Sequence, residues 1–436
     1  MFVSKLIMPN SFLCLFSISV SWACSSANET QVFPDPPKEE SQEKTCEKAN
    51  HNQGGVTLSE RTDTDQWQLV WQDNFDYSNE ELDKNWISQN GPSGHILSSR
   101  WRDNAVVKNG VLELIAKKES RGGAQWTTGN IWTRKTFGYG YYECKYKYAG
   151  AAGTNNSFWL FPRDKGVNNP EVICELDINE GHYPNEVNTN RHHWKNGKTE
   201  NNQLNHTAGL SPGYAHTFDE VITTQRIRFS SQHATHFHIR EFSVLQAQEN
   251  CQYPQDILAL DFNDAVNLSK TSQVTASGVY KAGFEPENVV DESTKKSWVS
   301  QKNGEKWLEF SWEEPQEIGH VQFVNGWQNK GNWNSLISDY KIEAWVDGKW
   351  KTLVDFDVKN THNYAEEYHV YGLDWSEDEL KFYIDNQLIR TLPNTLCKEE
   401  LNIYLSLAIL EHAGEVTDAI DGTSMKIDWV KYYQKK

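Results

Sequence analysis

The sequence predicts an all-β protein, and three observations carry that expectation. From Trp67 onward apolar and polar residues alternate in short runs, among them Trp67 to Trp71, Gly110 to Ala116, Gly140 to Tyr148 and Ser157 to Phe161. A period of two is the mark of a half-buried strand. Gly, Asn and Asp punctuate these runs, and no segment sustains a helical period, a combination that points to a sandwich or barrel. The chain has 436 residues, and a single core rarely grows past roughly 250–300 residues, so two cores are expected.

Composition narrows the function classes. The formal charge of −18 excludes a nucleic-acid partner, because phosphate binding needs a basic stripe. An anionic polysaccharide met by a few local cations remains allowed. With 18 Trp, 18 Tyr and 18 Phe against 3 Met, the chain is rich in flat side chains that stack on sugar rings or fill a β core. Beyond the first 24 residues the cysteines are Cys46, Cys144, Cys174, Cys251 and Cys397. Their spacing specifies neither a disulfide framework nor a metal motif.

The N-terminus reads as an export signal: Lys5, then a mostly apolar run from Leu6 to Val20, then small residues around Cys24. The expected signal peptide is residues 1–23, and no segment is a transmembrane helix. Cys24 leaves two fates open, free secretion or a lipid anchor on the cell surface or outer membrane. Residues 24–62 are polar and proline-bearing, a composition that cannot bury a core and reads as a disordered linker.

Several segments, in order, resemble glycoside hydrolase family 16. They are Trp67 to Phe75, Asp103 to Ala116, Phe137 to Glu143, Phe158 to Pro162, Tyr368 to Trp375, Phe382 to Ile389 and Met425 to Gln434. The resemblance implies a jelly-roll β-sandwich that cuts a β-linked polysaccharide internally, needs no cofactor for catalysis and works as a monomer. It breaks in the middle. There Asn288 to Ser300, Trp307 to Trp312 and Tyr340 to Trp345 resemble discoidin-like domains, with Glu292 where that family usually has glycine. The closing strands of such a domain are matched earlier, at Arg226 to Phe229 and His238 to Leu245. The expected organisation is therefore a catalytic jelly roll, residues 63–213 and 363–436, interrupted by a circularly permuted discoidin-like sandwich, residues 214–362. Its loop from Asn325 to Trp333 offers Trp327 and Trp333 either as glycan platforms or as packing.

The chemistry is expected at Glu175, Asp177 and Glu180. In a regular strand Glu175 and Asp177 share a face and Glu180 points the other way. One β-bulge near Ile178 and Asn179 restores the phase and brings all three carboxylates into one cleft. Without it, the same acids describe a solvated strand edge. The resemblance assigns Glu175 as nucleophile and Glu180 as acid/base, with Asp177 between them, the pairing that retaining cleavage requires. It also nominates Trp159 under the cleaved sugar, His193 beside the acid/base, and Glu411 at the cleft end of a late strand. Trp101 and Trp132 are candidate stackers, and Arg100, Arg102, Arg134 and Arg191 are candidate cations for sulfate esters. Asn179 and the Asn188 to Trp194 stretch lean toward an algal sulfated galactan (agar, porphyran or carrageenan), with a β-1,3-glucan such as laminarin, or glycan binding without catalysis, as alternatives. Both resembled families carry structural calcium in many members. Asp428 is the expected ligand in the catalytic part.

Overall fold

The computed structural model describes residues 63–163, 172–195, 198–249, 251–254, 256–260, 262, 264–329 and 332–436. The expected signal peptide, the linker, Cys24 and Cys46 lie outside them. The described chain is built from β-strands in three main sheets, as the alternating pattern requires.

Two eight-stranded sheets form a sandwich. One contains Trp67–Asp73, Ala105–Lys108, Val111–Ile115, Gly140–Lys147, His369–Trp375, Glu379–Ile384, Gln387–Pro393 and Ser424–Lys435. The other, which carries the acidic motif, consists of β1 (Trp86–Ser88), β2 (Asn130–Thr133), β3 (Thr154–Phe161), β4 (Val172–His182), β5 (Glu186–Lys195), β6 (Lys198–Asn201), β7 (Leu204–Thr207) and β8 (Asn402–Ile409). Its order is β6-β5-β4-β3-β8-β2-β1, with β7 also paired to β5. Along β3 the period of two is literal. Phe158 and Leu160 are buried in the core between the sheets, while Ser157, Trp159 and Phe161 face a cleft on the other side.

A seven-stranded third sheet is drawn wholly from residues 213–357 and has its own apolar core, including Phe229, Phe242, Trp298, Phe323 and Tyr340. The strands Gly213–Ser231 and His238–Gln246 flank Lys306–Asn325. The chain leaves and rejoins the sandwich at neighbouring points. Buried Asn185, in the turn after β4, donates through Nδ2 to Ala208 O (3.0 Å) and to Val358 O (2.8 Å). Glu292 takes φ +52°, the left-handed conformation that suits glycine and costs other residues roughly 1–2 kcal/mol. The loop geometry that glycine would give is thus reached by a glutamate. Trp327 sits exposed on a hairpin with Asn332–Asn334.

The kink in β4 is present where the spacing demands it. Asp177 pairs with Trp159 of β3 and Asn179 pairs with Phe158, leaving Ile178 as the extra residue. Both Ile178 and Asn179 turn inward. Ile178 joins the core, and Asn179 Nδ2 donates to the hydroxyls of Tyr146 (2.6 Å) and Tyr148 (2.9 Å) on the opposite sheet. Just beyond, Gly181 packs on the Tyr148 ring, with no room for a Cβ. Gly181→Ala should therefore displace Tyr148 and loosen the bulge, destabilising the protein by about 1–3 kcal/mol. A melting temperature equal to that of the parent would refute this account of the kink.

Candidate active site

The cleft, with a volume of about 810 Å³, is lined by Glu175, Asp177 and Glu180 together with Trp159, Ser157, Asn155, Arg100 and His412. Register explains the convergence: Glu175 lies opposite His192 and Asp177 opposite Asn190, and after the bulge Glu180 lies opposite Asn188. Asn155 Nδ2 donates to Glu180 Oε1 (2.9 Å), and Asn188 Nδ2 holds the Glu180 carbonyl (2.9 Å). Cys174, next to Glu175, is disulfide-bonded to Cys397, which pins β4 to the loop before β8. Cys251 is also in a disulfide, and Cys144 is a buried free thiol.

Three carboxylates share one cleft, and they differ in burial. Asp177 is almost fully buried, and this desolvation, followed by the nearby Glu180 charge, holds its carboxyl well above the usual carboxylate range; a hydrogen bond with Glu175 opposes the shift. Its Oδ2 lies 3.2 Å from His192 Nε2. His192 Nδ1 lies 2.7 Å from Asn201 Oδ1, an acceptor, while Nε2 faces Asn190 and Asp177. His182, two residues beyond Glu180, is lowered to about 4 by burial against the opposing pull of Glu180. Arg100 is 7% exposed, and burial lowers it to about 10 while Glu180 raises it, so it stays cationic at neutral pH.

The structure redistributes the other expected residues. Trp159 lines the cleft, its Nε1 donating to Ser406 Oγ (3.1 Å) and its ring packed on Tyr404 at 4.3 Å. His193 does not: it is buried beside Cys174 in register, and strand parity gives its place to His192. Glu411 is exposed, opening the short turn Glu411–Ala413, and its neighbour His412 is the residue that reaches the cleft. Trp101 is off the cleft, bonded to Ser99 Oγ (2.8 Å) and covered by the Arg121 guanidinium 3.8 Å from its ring centre. Trp132 is buried rather than an open stacker, with Tyr404 on its ring at 5.4 Å. Of the four candidate cations only Arg100 lines the cleft. Arg102 is tied to Asp83 and to the Asn79 and Ala105 carbonyls, Arg134 bonds the Asp83 carbonyl, and Arg191 bonds Pro393 O and Thr395 Oγ1. Asn155, Asn190 and His192 were missed by the sequence reading. Asn190 and His192 lie opposite Asp177 and Glu175 in register, which is the signal that finds them, while Asn155 lies opposite His182.

Asp428, the expected calcium ligand, has its Oδ2 2.9 Å from Lys145 Nζ. Among the described residues, the one group of three or more His, Cys, Asp or Glu side chains close enough to share an ion is Glu175, Asp177 and His192.

The fold and site together define a class: a two-sheet β-sandwich with a carboxylate-lined cleft on one sheet. The model of glycosyl hydrolases family 16 matches residues 95–281 and 313–431, and the chain belongs to that family. It is 31% identical over 113 residues to a beta-glucanase of Rhodothermus marinus, an alignment covering 24% of this chain and 40% of that protein. With a beta-glucanase of Bacillus licheniformis the identity is 22% over 176 residues, 38% of this chain and 62% of the relative. The alignments thus span less than two thirds of either relative. Among solved structures, the laminarinase catalytic domain of Thermotoga maritima MSB8 has a TM-score of 0.42 at 16% identity, covering 85% of this chain and 99% of the other. Porphyranase B of Zobellia galactanivorans has 0.40 at 14%, covering 84% and 92%.

The elevated Asp177 carboxyl has a direct signature. An infrared carboxylic-acid band should persist at neutral pH and disappear in Asp177→Asn. Its absence from the parent protein would show Asp177 ionised and the assignment wrong.

Proposed function

We infer that the chain is a retaining endo-β-glycosidase in which Glu175 attacks the anomeric carbon and Glu180 protonates the leaving oxygen. The observation that carries this reading is the bulge, which sets Glu180 on the same face as Glu175 and Asp177. Retention needs two such carboxyls about 5–5.5 Å apart. The first step forms a bond between a Glu175 oxygen and the sugar while the glycosidic bond breaks and the Glu180 proton goes to the departing hydroxyl. In the second, Glu180 takes a proton from water, which displaces Glu175. Asp177, holding its proton, donates to Glu175 and limits the negative charge beside Glu180. Asn155 orients Glu180.

The substrate reading is an algal sulfated galactan, with a β-1,3-glucan as the second reading. Asn179 bears on neither, since it faces the core and holds the bulge. Buried Arg100 in the cleft favours the anionic polymer, whereas the beta-glucanase names of the relatives favour the neutral one. In this proposal the third sheet is the permuted discoidin-like module of the sequence reading, bracing the sandwich or binding glycan. The protein is a monomer that is exported, freely or anchored at Cys24. No described helix is long and apolar enough to cross a membrane.

Incubation with agarose, porphyran, carrageenans, laminarin and mixed-linkage glucan, reading reducing ends and the anomer first released, tests the activity. The expected product retains the β configuration. Glu175→Gln should lower turnover more than about 1,000-fold while leaving binding intact. Asp177→Asn, which keeps an N–H toward Glu175, should cost roughly tenfold less than Asp177→Ala. Inverted product, or full activity in Glu175→Gln, would overturn the reading.

Calcium is proposed at Asp428 and, as a second ligand in the third sheet, at Glu241. Glu241 is buried, its Oε1 has no hydrogen-bond partner, and Asp291 and Glu292 add negative charge beside it. Burial pushes this carboxyl up to about 8, and a hard cation would relieve it. Calcium should raise the melting temperature of the parent protein by more than it raises that of Glu241→Gln. An equal response in both would remove Glu241 as the ligand.

A further inference from the structure

We propose that the cleft continues, past Trp159, into a subsite for a sugar unit bearing an anionic substituent, held by Arg163 and Arg100. The proposal rests on the glycosidase reading and deepens it by locating where a charged sugar is recognised. A depression of about 410 Å³ adjoins the carboxylate cleft, and His95, Arg100, Trp159 and Phe161 line both. It therefore extends the same groove away from Glu175 and Glu180.

Its walls are unusual for this chain. The molecule carries 60 acidic against 42 basic residues, yet the lining of this depression holds two arginines and no Asp or Glu. Neither Arg100 nor Arg163 has a carboxylate within ion-pair distance among the described residues. Two donors on the wall are buried without an acceptor, Arg100 Nε and Trp132 Nε1. Arg100 is buried with the Glu180 charge near it but outside ion-pair distance, so its guanidinium gains from any acceptor that arrives. Such a wall lacks an anion more than it lacks a hydroxyl. The one unmatched acceptor there, Asn130 Oδ1, suits a neutral sugar hydroxyl.

Arg163 is exposed and was not among the expected cations. Its guanidinium lies over Trp132, 4.6 Å from the ring centre, and its backbone N–H is fixed by Asn402 Oδ1 at 2.9 Å. Stacking on an indole orients a guanidinium with its N–H edge in plane, the arrangement that clasps a planar or tetrahedral oxyanion with two parallel hydrogen bonds. Trp132, buried and unable to stack on a sugar itself, acts as the surface on which Arg163 rests. Sulfate ester and uronate carboxylate share this chemistry.

The test is calorimetric binding to Glu175→Gln protein, which leaves the groove intact and stops turnover. Its ligands are a sulfated galactan oligosaccharide, the same oligosaccharide desulfated, and a uronate-bearing oligosaccharide. At least one anionic ligand should bind about 10- to 100-fold tighter than the neutral one, with the gap shrinking as salt rises. Arg163→Gln in the same background should close most of that gap, and Arg163→Lys should restore part of it. Preference for sulfate alone or uronate alone names the substituent. Equal affinity for charged and neutral ligands, no binding of either anionic ligand, or a gap untouched by Arg163→Gln overturns the subsite. Failure of the parent protein to release reducing ends from any polymer would instead sink the glycosidase reading, and it would leave the binding gap to be judged separately.

Discussion

One extra residue in one strand governs the geometry of the whole site. Were β4 regular, Glu180 would face the core between the sheets, where an unpaired carboxylate costs several kcal/mol. The bulge at Ile178 and Asn179 is held from both directions. Outward, Glu180 finds the Asn155 amide and the cleft. Inward, the Asn179 amide finds two tyrosine hydroxyls from the opposite sheet. A buried amide without partners would lose about 1–3 kcal/mol, so straightening the strand is penalised at two neighbouring residues at once. Cross-sheet tyrosines thereby fix the position of an acid they never touch.

That arrangement also explains how an acidic chain tolerates three more acids in a cleft. Asp177 is the most buried of the three, and desolvation, followed by the nearby Glu180 charge, holds its carboxyl well above the usual carboxylate range, which disfavours a further negative charge at that point. Arg100 remains a cation near Glu180. His182, held neutral by burial down to about 4, adds no competing charge on the far side of Glu180. Burial, more than any single ion pair, is thus the largest cause of the shifts at Asp177, His182 and Arg100.

Much of this was legible in the sequence because strands have a short, rigid period. Trp159, nominated by the resemblance, lies on the cleft face that the strand period gives it, and the six-residue acidic motif called for a bulge that β4 contains. Parity also explains the failure at His193: in a strand, a one-residue error in register moves a side chain to the other face, and His192 is the residue opposite Glu175. Glu411 and His412 lie in a short turn after β8, where no period applies. Trp101, Trp132 and the arginines depended on what packs over them, since Arg121 covers Trp101 and Asp83 captures Arg102. Those contacts join residues far apart in the chain, and local pattern carries no information about them. Asn179 likewise meets Tyr146 and Tyr148 from far along the chain.

The attachment of the third sheet follows from the same economy of buried polar groups. Asn185 is nearly inaccessible, and its two amide hydrogens are spent on Ala208 O and Val358 O, the carbonyls at which the chain leaves and re-enters the sandwich. Tyr364 N adds a bond to Pro184 O in the same turn. Both ends of the 209–357 excursion are therefore anchored on the turn that follows the acidic strand. A long excursion costs little in loop-closure entropy once its ends are held together, because that cost grows only with the logarithm of length. The separate apolar core of the third sheet supplies its own stability, and the anchoring bonds need only hold its two ends. These bonds converge on the hairpin joining β4 to β5, directly after the strand that bears Glu180.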